Sequence, residues 1–450
     1  MFVINIPEDS KTILERMKPK RRKVRSIFKD LLDKPFRQDQ EEIILAGLLA
    51  IDDGFKNILV RSPVGSGKSV SALAIAKLHS PFYLLSQSLS LTHQYRRDFP
   101  FLEEIKGRRN FRCKMDPKIA SDEAPCTTIK KYECLYDTPG AKFVDACGTI
   151  RSRFRNCDYW HTKYDCATSP ETLTTPHYLF REQSGKRSLF GERQISIFDE
   201  AHDLPHTLST IIEEYWSLTN HEYLRGFKFG VVYLPTLTDI KEWKNYFSSI
   251  LGTIDAILSE LDELIESSPT DNMFKRYSKV ERMKDRVNDT LTLLEDPDNV
   301  IITKYKEVFY FKPIRPTPFA KKFLEKVSDV RIFMSATIIP DITIKELDLD
   351  PDKTIFISVN RSSFPIKNRQ IHAVNVALTH RSNYSKAIPR LRKFIVSILD
   401  LPKFKNQNSL ILAPSYELCG LMEEELNGYF AGQILSYNNS EDRQKAIELF

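Results

Sequence analysis

Along the chain, short unbroken apolar runs alternate with stretches of helical character. Asn57-Ile58-Leu59-Val60-Arg61 reads as a short strand, Ser69 to Leu78 as an Ala-rich helix, and Phe82-Tyr83-Leu84-Leu85 as the next strand. Gln194-Ile195-Ser196-Ile197-Phe198 and Val330-Arg331-Ile332-Phe333-Met334 continue the series. Strand–helix–strand alternation of this kind predicts a largely parallel α/β sheet. A second α/β unit is expected to start with the strands Ile371 to Val376 and Ser409-Leu410-Ile411-Leu412.

Three stretches depart from the alternation. Residues 1–35 read as a charged leader, and the basic run Lys18-Pro19-Lys20-Arg21-Arg22-Lys23-Val24-Arg25 reads as a solvated arm that could touch phosphates. Residues 107–165 lack a long apolar strand and hold most of the cysteines, so they look like an insertion organised around something other than a core. Residues 205–300 are mostly helical. Ile250, Ile254, Ile257, Leu258, Leu261, Leu264 and Ile265 repeat at helical spacing, as do Tyr277, Val280, Val287, Leu291 and Leu294 after a break at Ser267-Ser268-Pro269. The two stripes predict an antiparallel helix pair whose apolar faces are packing surface. The first α/β unit is therefore expected in three pieces, 36–106, 166–204 and 301–345, with 346–450 forming part of a second.

Composition adds limits. A length of 450 residues suits two or three cores at roughly 100–200 residues per domain. The apolar opening Met1 to Pro7 is too short for a secretory signal, and no apolar run approaches the ~18 residues of a membrane helix. An intracellular setting is expected, where thiols stay reduced and clustered cysteines favour a metal over disulfides. The net charge of +6 permits a nucleic-acid partner without demonstrating one.

Ser62-Pro63-Val64-Gly65-Ser66-Gly67-Lys68-Ser69 follows a strand and opens a helix, the setting of a phosphate-binding loop. Gly65 and Gly67 would let backbone N–H groups turn onto phosphates at a helix N-terminus. Lys68 would reach the β- and γ-phosphates of ATP, and the Ser69 hydroxyl would ligate Mg²⁺. Ser62 stands where the usual spacing has its opening glycine. Asp199-Glu200 ends an apolar strand, so Asp199 would hold Mg²⁺ and Glu200 would polarise the attacking water.

In order, Gln40, the loop at Lys68, Asp199-Glu200-Ala201-His202 and Ser335-Ala336-Thr337 resemble the motifs of superfamily 2 helicases. That resemblance implies RecA-like motor domains in which Gln40 reads adenine, while His202, Ser335 and Thr337 couple hydrolysis to domain movement. Ser86-Gln87-Ser88 with Gln94 resembles the strand-end motif that grips the nucleic-acid backbone, although Ser88 would also suit a plain helix cap. Gly107-Arg108-Arg109-Asn110-Phe111-Arg112-Cys113 and Cys157-Asp158-Tyr159-Trp160 resemble the borders of the iron–sulfur domain of the XPD/DinG helicase family. By that similarity a [4Fe–4S] cluster takes Cys113, Cys126, Cys157 and a fourth cysteine, Cys147 in preference to Cys134. Cys166 and Cys419 are expected in packing roles. Zinc is the competing metal, although none of these cysteines has the close C-x₂₋₄-C spacing that zinc sites favour. Basic and aromatic residues interleave nearby, with Arg153 and Arg155 as candidate phosphate contacts and Tyr159 and Trp160 as packing around the cluster. The resemblance makes 205–300 an arch that, with the cluster domain, frames a path for one DNA strand.

One family feature is missing. No Q-x-x-G-R-x-x-R motif follows Pro414-Ser415-Tyr416, and the chain closes on an unfinished helix, so it is expected to be a truncated or split product. Loss of an arginine finger costs about 10³-fold or more in turnover, so slow hydrolysis is expected. The reading is an ATP-dependent DNA helicase acting as a monomer on single-stranded or forked DNA, with no membrane partner. Its rivals are a DEAH-box RNA helicase with structural zinc and a non-unwinding DNA-binding ATP switch.

Overall fold

The structure is a computed structural model. It describes all residues except 129–133, 135–136, 145–149, 156, 185–187, 228–233, 236–238, 268–269, 363–382, 403, 405–408, 414, 431–433 and 435–450, and the side chains of 127–128, 137–144, 150–155, 271 and 275. The chain divides into two units, Met1–Phe364 and Pro365–Phe450.

The first unit opens with strand β1 (Phe2–Ile6) and helices α1 (Ser10–Arg16), α2 (Lys18–Leu31) and α3 (Gln40–Asp52). Then come β2 (Asn57–Arg61), α4 (Lys68–Lys77), β3 (Phe82–Leu85), α5 (Leu89–Asp98) and β4 (Glu103–Glu104). The cysteine-rich segment holds the short helix α6 (Pro125–Thr128), the antiparallel strands β5 (Asp137–Val144) and β6 (Ile150–Arg155), and α7 (Asp158–Thr168). β7 (Glu171–Thr174), α8 (Pro176–Ser184), β8 (Arg193–Asp199) and α9 (Leu204–Ile212) return the chain to the main sheet and its helices. The helical insertion contains β9 (Glu214–Ser217), α10 (Leu218–Arg225), α11 (Ile240–Ser267), α12 (Asp271–Leu293), β10 (Val300–Tyr305) and β11 (Val308–Pro313). α13 (Thr317–Val327), β12 (Ser328–Ser335), α14 (Pro340–Glu346) and β13 (Thr354–Val359) complete the unit.

Among the described residues, eight strands form one parallel sheet in the order β1-β13-β2-β12-β8-β3-β7-β4. Its strands are apolar on both faces because helices cover both sides. Ile58, Val60, Ile195, Ile197, Ile332 and Met334 pack an aliphatic face against α2, α3 and α4. The alternate positions, Leu59, Phe198 and Phe333, face the other way, where the Phe198 and Phe333 rings stack at 5.0 Å. The predicted parallel α/β architecture is the observed one.

The leader is not a solvated arm. β1 pairs with β13, and Ile13, Met17, Val24 and Phe28 are buried in the aliphatic core. The basic run forms α2, an amphipathic helix whose charge density hides an i, i+4 apolar stripe. Arg21 and Arg25 both grip the Glu41 carboxylate, with Nε–O distances of 2.9 and 2.7 Å. The first unit therefore begins at β1 and continues through β13, beyond the expected end at 345.

The break at Ser267-Ser268-Pro269 separates α11 from α12, as expected. Lys284 pairs with Asp255 at 2.6 Å and Tyr277 reaches Asp262 at 3.3 Å, a register that makes the helices antiparallel. Their core closes on the three-stranded sheet β10-β11-β9, where Trp243 lies against Phe247, Phe309 and Phe311. The insertion thus runs from β9 to β11, not from 205 to 300, because Leu204 and Leu208 of α9 are buried in the motor core.

In the second unit, α15 (Tyr384–Leu399) and α16 (Tyr416–Asn427) share a small core of Ile388, Leu418, Met422 and Leu426. The strand expected at Ile371 to Val376 lies outside the described residues. Ser409 to Leu412 forms no ladder among the described residues, and Leu410 and Leu412 are exposed. Among the described residues no helix is long and apolar enough to cross a membrane.

Candidate nucleotide and nucleic-acid site

Three adjacent strands, β2, β12 and β8, deliver the chemistry to one edge of the sheet. Their register sets Ser335 beside Arg61 and Asp199 beside Met334. The phosphate loop, the acidic pair and Ser335 therefore meet at the carboxyl ends of neighbouring strands, where α/β sheets bind ligands.

In the loop, Gly65 and Gly67 have φ of 82° and 83°, conformations that a side chain would strain. Ser62 is buried and its hydroxyl donates to Ser66 Oγ at 2.6 Å, so serine closes the loop where glycine was expected. Lys68 Nζ folds back onto the Ser62 and Pro63 carbonyls at 2.9 and 3.3 Å. Burial lowers the pKa of this ammonium, while Glu200 and Asp199 pull the other way. Gln40 is buried and uses both ends of its amide. Its Oε1 accepts from Arg37 N at 2.9 Å, and its Nε2 donates to the Gly67 carbonyl at 3.2 Å. Arg37 also donates to the Gly65 carbonyl at 2.6 Å.

Glu200 adopts φ of 49°, strained for a residue with a side chain, and this backbone turn follows Asp199 directly. Burial raises the Asp199 pKa, opposed by a hydrogen bond from Tyr95. Asp199 Oδ1 accepts the Glu200 amide at 3.0 Å, and Oδ2 accepts the Tyr95 phenol at 2.6 Å. Ser335 is a hub. Its Oγ lies 2.8 Å from His202 Nδ1, 3.2 Å from Thr337 Oγ1 and 3.5 Å from Glu200 Oε2. The structure thus brings together Gln40, Gly65, Gly67, Lys68, Ser69, Asp199, Glu200, His202, Ser335 and Thr337. A hydroxyl at Ser69 and a carboxylate at Asp199 are hard oxygen donors, which fit a Mg²⁺ ion.

The expected nucleic-acid contacts divide. Gln94 is exposed on α5, together with His93 and Arg97. Ser88 caps α5, its hydroxyl accepting from Leu91 N at 3.3 Å. Ser86 is fully buried beside β7, with its amide on the Thr174 carbonyl, so it presents no hydroxyl to a strand on the surface. Arg153 and Arg155 lie on β6, with side chains outside the described residues.

Cys113 is buried, Cys126 lies on α6 and Cys157 precedes α7. Cys126 Sγ accepts from Arg108 at 3.4 Å. Burial pushes the Cys157 thiol up, and Cys126 and Cys134 add to that, while Trp160 N–H and Arg108 oppose it. Cys147 lies outside the described residues. Among the described residues no three His, Cys, Asp or Glu side chains converge tightly enough to hold a metal. The donor type, thiols beside a guanidinium, suits a thiolate-bound centre. Cys166 is fully buried in the motor core, its thiol pushed up by burial, and takes a packing role. Tyr159 and Trp160 pack too. The Arg108 guanidinium lies 4.9 and 5.6 Å from their ring centres, and Lys163 beneath them pairs with Glu182 at 2.5 Å.

Tyr95 is the site residue that sequence reasoning missed. An aromatic next to Gln94 on an amphipathic helix reads as core, and only the neighbouring of β3 and β8 puts it on Asp199.

Residues 33–227 match the family model described as Type III restriction enzyme, res subunit. No curated protein matches the chain. Among solved structures it is similar to one described as XPD_Helicase, with 14% identity, a TM-score of 0.49, and coverage of 92% of this chain and 78% of that one. It is similar also to XPD_APO, with 14% identity, a TM-score of 0.41, and coverage of 92% and 76%. A third, described as Truncated XPD, is 14% identical with a TM-score of 0.40, and the match covers 72% of this chain and 99% of that one.

Proposed function

We propose that this chain, whose first unit has a helicase-type motor fold, is an ATP-dependent DNA helicase or translocase. One observation carries the reading above the rest. The Ser335 hydroxyl joins Glu200 and His202 at the end of the strand between the phosphate loop and the acidic pair. A group that polarises water is thereby wired to a strand that runs on to α14 and β13, which is what coupling hydrolysis to movement requires.

Lys68 exchanges the Ser62 and Pro63 carbonyls for the β- and γ-phosphates, and its charge offsets that of the transferred group. Gly65 and Gly67 aim backbone N–H groups at the same phosphates. Gln40, held by Arg37 N and Gly67 O, would read the adenine edge. Glu200 orients the attacking water. Ser69 and Asp199 would hold Mg²⁺, which when bound supplies charge neutralisation at the phosphates. Gln94, with its exposed neighbours on α5, would follow the backbone of a single strand.

Cys113, Cys126 and Cys157, with Cys134 or Cys147, would hold a [4Fe–4S] cluster, which when bound supplies a rigid centre around which the segment 107–165 folds. Anaerobically purified protein should be brown with broad visible absorbance. Colourless protein carrying one equivalent of zinc would overturn the iron–sulfur part alone.

The reading is tested by nucleotide binding and forked-DNA unwinding with Lys68→Ala as comparison. ATP-dependent strand separation that the substitution abolishes supports it. DNA-stimulated ATP binding without strand separation would favour an ATP switch, and full activity in Lys68→Ala would show that the ATP site is elsewhere.

A further inference from the structure

Tyr95 occupies a position that the nucleotide chemistry above does not use. Its phenol is nearly fully buried and donates to Asp199 Oδ2 at 2.6 Å. Ser69 and Asp199 are the two side chains assigned to Mg²⁺, and the phenol holds one oxygen of Asp199. The other Asp199 oxygen is already held by the Glu200 amide at 3.0 Å. Tyr95 therefore completes the fixing of this carboxylate.

The same residue is part of α5. One face of that helix turns Tyr95 inward, where its ring packs near Phe99 with 6.3 Å between centres. The other face exposes His93, Gln94 and Arg97. The helix is held rigid at its start by the Ser88 cap and at its end by the Phe99 amide on the Tyr95 carbonyl at 2.8 Å. A strand bound on the outer face would bear on the element that carries the phenol. No flexible linker intervenes between the two.

We propose that Tyr95 is a positioning residue through which single-stranded nucleic acid on α5 alters the Mg²⁺ site at Ser69 and Asp199. This rests on the helicase reading and adds its regulation. Coupling between two binding sites is reciprocal, so with nucleotide bound Mg²⁺ must change strand affinity by the factor by which the strand changes metal affinity. Such factors are commonly about 5–150-fold.

The test uses the full chain with ADP. Mn²⁺, standing in for Mg²⁺, is titrated by electron paramagnetic resonance with and without a saturating oligothymidylate. Fluorescence anisotropy gives oligothymidylate affinity in the presence of ADP, with and without Mn²⁺. In the unaltered protein both ratios should agree and exceed about fivefold. Tyr95→Phe keeps the ring in its packing and removes only the hydroxyl, so both ratios should fall to about one while oligothymidylate affinity without nucleotide stays unchanged. A Tyr95→Phe variant with the unaltered ratios overturns the proposal, as does an unaltered protein whose ratios are already one. Failure to bind ADP or the oligonucleotide at all overturns the helicase reading itself and is recognisable as such. Should the variant not fold, hydrogen exchange over Leu89 to Asp98 in the unaltered protein decides. Slower exchange on adding Mn²⁺–ADP supports the link, and unchanged exchange overturns it.

Discussion

The Glu41 carboxylate fixes the leader to the motor, and Glu41→Gln measures how firmly. Burial alone would raise its pKa, but hydrogen bonds from Arg21 and then Arg25 overcome that and hold it down from 4.5 to about 2. At full weight a shift of that size is worth about 3 kcal/mol. The two arginines are 38% and 55% exposed, so solvent screening reduces the expected contribution to about 1–2 kcal/mol. A depressed carboxylate pKa stabilises fully above the unfolded value near 4.5, and the contribution is lost as pH falls towards about 2. Equilibrium urea unfolding at a series of pH values is the assay. At pH 7 the variant should be less stable by about 1–2 kcal/mol, and the gap should close between about pH 5 and pH 2. An equal stability at pH 7, or a gap that persists unchanged in acid, would refute the reasoning. The result also bears on the site, because Glu41 follows Gln40 on α3 and so helps seat the residue that touches Gly67.

Other substitutions probe the site and core. Gly67→Ala would place a Cβ 2.3 Å from Gln40 Nε2 at a φ of 83°, so ATP affinity, measured by a fluorescent analogue, should fall by about tenfold or more. Ser335→Ala removes the hub between Glu200 and His202. ATP binding should persist while DNA-stimulated turnover drops by about 10²-fold, and an unchanged turnover would show that the hub is not used. Phe333→Ala empties a stacked position between the sheet and its covering helices and should cost about 3–5 kcal/mol in urea unfolding.

Much of the motor was legible because its strands are continuous apolar runs and its loops carry residues with one plain use. β2, β8 and β12 announce themselves in Ile58 to Val60, Ile195 to Phe198 and Ile332 to Met334, and each leads straight into a motif. The helical insertion was legible for a similar reason, since two long stripes with a Ser-Pro break have few other solutions. The leader was not. Eight residues dominated by lysine and arginine masked Val24 and its partner Phe28, and the pairing of β1 joins opposite ends of the unit. Ser62 looked like a departure until its hydroxyl was seen to bridge to Ser66. Ser86 and Ser88 show the converse difficulty. A serine at a strand end can grip a phosphate, fill a core or cap a helix, and local pattern does not distinguish these. Tyr95 could be recognised only from which strands are neighbours.

The central claim is that Lys68, Asp199, Glu200 and Ser335 form an ATP-hydrolysing site driven by a DNA strand. Its most direct measurement is the rate of ATP hydrolysis with and without single-stranded DNA, for the unaltered chain and for Glu200→Gln. The account predicts stimulation by DNA in the former, and in the latter retained ATP binding with turnover reduced by about 10²-fold or more. Hydrolysis indifferent to DNA, or undiminished in Glu200→Gln, would contradict it.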